Sequence, residues 1–215
     1  MKRIITIAVA GWVWSLAVLG ADAPKPRYEN NFQAAALDKV PEDFLVLDGG
    51  FAVKQDGENK FLELPGAPLD TFGALFGPTE KENVAVTARV FGTGKGRRFP
   101  TFGVGTGGVG GFRVQVSPAK KSIELFKGDT LRTSVPFTWE SGKWTWLRVE
   151  VRKLGDGRWI VEGKAWNDGE PEPAWTLTSE EKEEPPAGRA SVWGSPYATT
   201  PIRFDDLKVT AASAP

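Results

Sequence analysis

Apolar and polar residues alternate with a period of two along most of this chain, most plainly at residues 83–91, Asn-Val-Ala-Val-Thr-Ala-Arg-Val-Phe. In an extended strand Val84, Val86, Ala88 and Val90 share one face, and Ala85, Thr87, Arg89 and Phe91 the other. A one-residue slip would reverse both sets, so the register of this strand is well specified. Similar short runs recur at residues 44–47, 60–64, 112–116, 122–126, 144–152, 159–166, 190–193 and 202–209. Strands this closely spaced, with Gly, Pro, Asn and Asp between them, predict an all-β protein, a two-sheet antiparallel β-sandwich. Apolar spacing of three and four is nearly absent, and only residues 32–37 have the pattern of a single helical turn.

Residues 144–166 resolve into a hairpin. A three-residue loop, Gly155-Asp156-Gly157, with Gly157 left-handed, places Leu154 opposite Arg158. Counting outward, Val151 meets Val161, Val149 meets Gly163 and Leu147 meets Ala165, which makes one apolar face. The other face pairs Arg152 with Ile160, Glu150 with Glu162, Arg148 with Lys164 and Trp146 with Trp166. A two-residue loop would set Glu162 and Lys164 beside the valines and bury unpaired charge, which is costly.

The outward face of that hairpin has the ingredients of a carbohydrate surface. Tryptophan rings stack on pyranose faces, and a row of charged side chains can hydrogen-bond hydroxyls. The same residues also suit an outer sheet face whose charges form an ion ladder. Glu150 opposite Glu162 matches the separation of about 5–5.5 Å that retaining glycosidases use. Arg148, Arg152 and Lys164 lie around the pair, however, and would keep both carboxylates ionised with no proton donor between them.

In residues 202–209, Ile-Arg-Phe-Asp-Asp-Leu-Lys-Val, Ile202 and Phe204 have one parity and Leu207 and Val209 the other. A β-bulge at Asp205-Asp206 lets both pairs face the core. It would present two carboxylates at one kink, suited to capping backbone amides or to Ca²⁺, which needs six or more oxygens. The run Gly103-Val-Gly105-Thr-Gly107-Gly108 has the spacing of a dinucleotide-binding turn, but an alternating stretch follows it where that motif needs a helix. These glycines are read as a loop where strands meet, or as a place where backbones approach closely.

The chain begins Met-Lys-Arg, continues through an apolar run over residues 4–19, and reaches Ala21-Asp22-Ala23 before Pro24. Residues 1–23 thus have the pattern of a secretory signal cleaved after Ala21 or Ala23, leaving residues 24–215 as one domain in a secreted or periplasmic location and off the membrane. Cleavage after Ala21 would remove Lys2 and Arg3, leaving 25 basic residues against 27 acidic ones. That balance offers nothing to nucleic acid. With no histidine and no cysteine, Ser-His-Asp triads, Cys-His pairs, thiolate and imidazole zinc sites and disulfides are excluded. The basic loop at 95–99 and the acidic loop at 180–184 are solvated surface or, in a scaffold module, contacts for a protein partner.

Phe32 and Phe44, the strand NVAVTARV, the Gly-rich approach to FRVQV, SIELFK, WTWLRVEV, KAWNDGEPEPAW, PAG and FDDLKV together resemble the concanavalin A-like lectin/glucanase superfamily. The likeness spans roughly residues 28–210 and is nearest to laminin-G-type modules of exported bacterial proteins. The resemblance implies a concanavalin A-like jelly roll and a glycan or polysaccharide partner bound on a concave sheet. Carried over onto the hairpin, it implies binding by Trp146 and Trp166 with Arg148 and Lys164 beside them, and by Trp175 in the following loop. It also implies that Asp205 or Asp206 could hold Ca²⁺. The E-x-D-x-x-E strand of the glucanases is absent, so the expected role is noncatalytic carbohydrate binding; glycoside hydrolysis by Glu150 and Glu162 and protein binding are the alternatives.

Overall fold

A computed structural model describes residues 25–66, 70–197 and 200–213; the expected signal segment lies outside these residues. The strands are β1 (Tyr28–Asn30), β2 (Leu45–Asp48), β3 (Ala52–Asp56), β4 (Asn59–Leu64), β5 (Phe72–Glu80), β6 (Val84–Phe91), β7 (Thr101–Thr106) and β8 (Phe112–Ser117). They continue as β9 (Ser122–Lys127), β10 (Thr130–Pro136), β11 (Trp144–Lys153), β12 (Trp159–Asn167), β13 (Leu177–Glu181), β14 (Gly188–Ser195) and β15 (Ile202–Ala211). A first sheet runs β13-β12-β11-β6-β15-β4-β3, with β1 also on β15, and a second runs β10-β9-β8-β7-β14-β5-β2. All pairings between the strands are antiparallel. The architecture is therefore the expected two-sheet β-sandwich.

The alternating pattern explains which residues lie between the sheets. Val84, Val86, Ala88 and Val90 of β6 are buried, as are Leu147, Val149 and Val151 of β11, and Val104, Val114, Val116 and Leu125 of the second sheet. Phe76, Phe102, Phe112 and Phe204 fill the larger spaces. Each such side chain contributes roughly 1.5–3 kcal/mol by leaving water, so burial and backbone pairing hold the sandwich without disulfides.

The hairpin has the register derived from its sequence, from Thr145 opposite Asn167 to Lys153 opposite Trp159, with Glu150 opposite Glu162 and Trp146 opposite Trp166. Leu154 N–H donates to the Arg158 carbonyl at 2.7 Å, closing the three-residue loop. Gly157 takes φ 77°, a left-handed conformation that explains glycine there. The last strand carries its bulge as well: its pairing with β6 shifts between Asp205 and Lys208, and Asp206 has φ 49°.

Of the two readings of the Gly-rich segment, close backbone approach holds over residues 101–106: they form β7, inside the second sheet between β14 and β8, where a Cβ at Gly103 or Gly105 would sit 2.6 or 2.8 Å from a β8 backbone carbonyl oxygen. Only Gly107 and Gly108, with φ 79° and 70°, form the turn. Residues 32–37 make a turn closed by Ala35 N–H donating to Phe32 carbonyl at 2.9 Å, and the one helical piece among the described residues is the 3₁₀ turn Pro118–Lys120.

Candidate functional site

The outward hairpin face brings the expected residues together, and it ties them to one another. Trp146 and Trp166 lie parallel, with ring centroids 6.0 Å apart and an interplanar angle of 12°. Both are half-buried, and the Trp146 indole N–H donates to Asp168 at 2.8 Å. The loop after β12 folds back over the sheet. Trp175 covers Lys164, whose Nζ is 4.1 Å from the ring centroid, and it also lies 5.5 Å from the Arg148 guanidinium carbon. Glu172 pairs with both cations, and Lys164 donates to the Pro173 carbonyl.

Beneath this cover the two glutamates form an ion ladder. Glu150 is fully buried and is held by Arg148 at 3.3 Å, by Arg152 at 3.0 Å and by the Ser213 hydroxyl at 3.0 Å. Arg152 also pairs with Glu162, which is buried too. One guanidinium occupies both carboxylates, whereas a glycosidase pair must face its substrate. Neither glutamate stands in an open cleft.

At the bulge, the Arg89 guanidinium bonds both Asp205 and Asp206, each at 2.8 Å. Asn59 donates to Asp205 at 3.0 Å, and Asp205 Oδ1 accepts the backbone N–H of Asp206 at 2.8 Å, the amide-capping arrangement. Burial raises the Asp205 carboxyl above its ordinary value, against the hydrogen bonds from Asn59, Asp206 and Arg89 that favour the charged form. This donor set does not fit Ca²⁺: a guanidinium already bonds both carboxylates, and the described residues contain no cluster of three or more Asp or Glu able to hold a metal.

Of the loops suggested for a protein partner, the acidic one is engaged in ion pairs, whereas the basic one keeps Lys95, Arg97 and Arg98 exposed. In the acidic loop Glu180 pairs with Arg158, Glu181 with Lys127 and Arg132, Glu183 with Lys127 and Glu184 with Lys81. In the basic loop Lys95 and Arg98 form a small bridge, and Phe99 packs edge-on against Trp139.

The outer face of the second sheet carries a surface that the sequence did not single out. Register places Trp193 of β14 between Gly73 of β5 and Gly103 of β7. The indole lies over Gly73, where a Cβ would sit 2.7 Å from ring carbons. Its N–H donates to the Ser191 hydroxyl at 2.8 Å, which fixes the ring against the sheet. Arg113 of β8 lies beside it, its guanidinium carbon 5.4 Å from the Trp193 centroid and 5.1 Å from that of Phe126. Farther along the same strand, Ser195 hydrogen-bonds Thr71 at 2.8 Å, and these two with Asp70 and Tyr197 line a cavity of about 250 Å³. An aromatic plate beside a small cavity with hydroxyls and a carboxylate in its wall is an arrangement suited to a sugar ring with its hydroxyls.

Arg113 is the unusual group on this face. Burial pushes its guanidinium below its ordinary value despite the charges of Asp129 and Glu124. Glu124 is engaged elsewhere, by Lys120 at 2.9 Å, Ser117 at 2.6 Å and Gln115 at 3.3 Å. Burial opposes ionisation of Glu124, but these hydrogen bonds and the Lys120 charge prevail and hold it below the usual carboxylate range. A lowered folded value contributes stability that is present above the ordinary carboxylate pKa and lost as pH falls through the folded value. Glu124→Gln is therefore expected to cost about 1–3 kcal/mol at neutral pH. In urea titrations across pH the difference from wild type should shrink toward zero on acidification; a constant difference would contradict this role.

The fold has relatives among solved structures. A carbohydrate-binding module, CBM66 from Bacillus subtilis, aligns over 79% of this chain and 96% of its own with TM-score 0.55 and 9% identity. A Bacillus subtilis protein with a galectin-like fold aligns over 89% and 100% with TM-score 0.60 and 12% identity. The exoplasmic/lumenal domain of VIP36, in a Ca²⁺- and Man2-bound form, aligns over 91% and 92% with TM-score 0.55 and 10% identity. These likenesses show a galectin-like, concanavalin A-like sandwich. No protein-family model and no curated protein matches the sequence.

Proposed function

We propose that this chain is an exported, noncatalytic glycan-binding domain that stacks a sugar ring on Trp193. The observation that carries the reading is the indole seated flat over Gly73 with its N–H already satisfied by Ser191. Such a ring keeps a fixed apolar plane without further ordering cost. The cavity lined by Asp70, Thr71, Ser195 and Tyr197 offers side-chain oxygens to hydroxyls on the same face. Lectin and carbohydrate-module relatives of the fold support the same reading. Binding is proposed in preference to hydrolysis because Glu150 and Glu162 are held by Arg152. The leader-like residues 1–23 and the laminin-G-type pattern of the sequence complete the proposal of an exported module.

A second surface is kept for one reason. Trp146 and Trp166 remain half-exposed above Arg148, Lys164 and Trp175, the set expected from the hairpin. A glycan array on the domain, followed by calorimetry on the best glycan, separates the two. Trp193→Ala should weaken binding about tenfold to a hundredfold, the loss expected when one apolar ring contact goes, while Trp166→Ala leaves it unchanged. The reverse outcome moves the site to the hairpin face, and an array without a bound glycan rejects the function.

A further inference from the structure

We propose that the Trp193 face selects glycans bearing a uronic acid, the Arg113 guanidinium taking the sugar carboxylate; this rests on the reading of that face as the glycan site. The argument begins with the other strand arginines. Arg89 pairs with Asp205 and Asp206, Arg132 with Glu181, Arg148 and Arg152 with Glu150, and Arg203 with Asp56 and Glu63. Arg189 donates to the backbone carbonyls of Gly77 and Asp43. Among the described residues Arg113 alone of the strand arginines makes no ion pair and no hydrogen bond, and its Nε is buried without a partner.

A half-buried cation has lost part of its hydration, and leaving it without an anion is costly. Here the cost is accepted on a surface where the guanidinium is held between Trp193 and Phe126. Lying beside the two rings, the guanidinium is held in place while its terminal nitrogens stay free to form a fork, and that fork matches a carboxylate better than it matches hydroxyls. Of the two carboxylates whose charges reach it, Asp129 makes no ion pair with it and Glu124 is turned to Lys120, Ser117 and Gln115. A pyranose on Trp193 would bring a C5 carboxylate to the neighbouring cross-strand row, where Arg113 lies.

The chain as a whole has 27 basic and 27 acidic residues, so this is recognition of one carboxylate and not attraction of a polyanion. Salt dependence should accordingly be shallow, far from the steep slopes of many-phosphate binders.

The test uses the full domain with oligosaccharides carrying one uronic acid in several linkages, each paired with its carboxyl-reduced twin. Wild type should bind at least one acid about tenfold or more tightly than its twin. Arg113→Gln should bind both members of that pair equally, at the affinity of the reduced sugar, and Arg113→Lys should recover only part of the preference. Equal affinity of wild type for every acid and its twin, with Trp193→Ala abolishing both, overturns the acid selectivity and leaves the glycan site standing. A preference that survives in Arg113→Gln assigns the carboxylate elsewhere and also overturns it. Trp193→Ala leaving all binding intact removes the glycan site itself.

Discussion

Arg152→Ala is expected to destabilise the domain by about 3–5 kcal/mol, the cost of leaving a buried carboxylate without its charge partner. Arg152 is four-fifths buried and carries two such carboxylates, Glu150 and Glu162, from the centre of the outward hairpin face. Glu150 retains Arg148 and Ser213, but Arg148 also serves Glu172. Glu162 has no other ion pair among the described residues, so it becomes the main source of the loss. The double variant Arg152→Ala with Glu162→Gln should therefore recover a substantial part of the deficit, and a double-mutant cycle in urea isolates the coupling. A loss below about 1 kcal/mol for Arg152→Ala would make the ladder an ordinary surface ion network. The same result bears on chemistry: an arginine whose removal unfolds the protein is holding Glu150 and Glu162 for stability, whereas a catalytic pair would lose rate with its fold intact.

Period and parity made most of the sandwich legible. The hairpin register followed from which pairing kept charge off the apolar face, and the bulge at Asp205-Asp206 followed from a change of phase within one strand. Both are consequences of strict two-residue alternation over half-buried strands. The candidate site was less legible, because two of its strands lack that signal. Thr101–Thr106 and Phe72–Glu80 carry glycine at outward positions, so there is no polar residue to alternate with, and glycine is a weak strand former. The outward row through Trp193, Gly103 and Gln115 joins β14 to the β7–β8 hairpin, which lies far from it in the chain. Hairpin neighbours such as Trp146 and Trp166 can be paired by counting; Trp193 and Arg113 cannot. The usable hint was the isolated Trp193 among small residues, Ala190-Ser191-Val192 before it and Gly194-Ser195 after, since a large ring beside small neighbours needs a flat place to lie.

Gly73→Ala tests that last relation without altering an aromatic or charged group. A Cβ at residue 73 would sit 2.7 Å from Trp193 Cε3 and Cζ3, inside any tolerable separation, while the ring is already tied at the other end by Ser191. Moving the indole off the sheet would break that hydrogen bond and alter its spacing from Arg113. The stability cost is expected to be about 1–3 kcal/mol, as for other additions to a packed site. Glycan binding should fall as far as in Trp193→Ala, about tenfold to a hundredfold, although every group that would touch the sugar is still present. Wild-type affinity in a folded Gly73→Ala protein would show that the seated orientation of Trp193 is unnecessary. Loss of affinity with the near-ultraviolet dichroism changed and the β-sheet signal kept would show that glycine is used in β5 to hold one aromatic plane flat for a ligand.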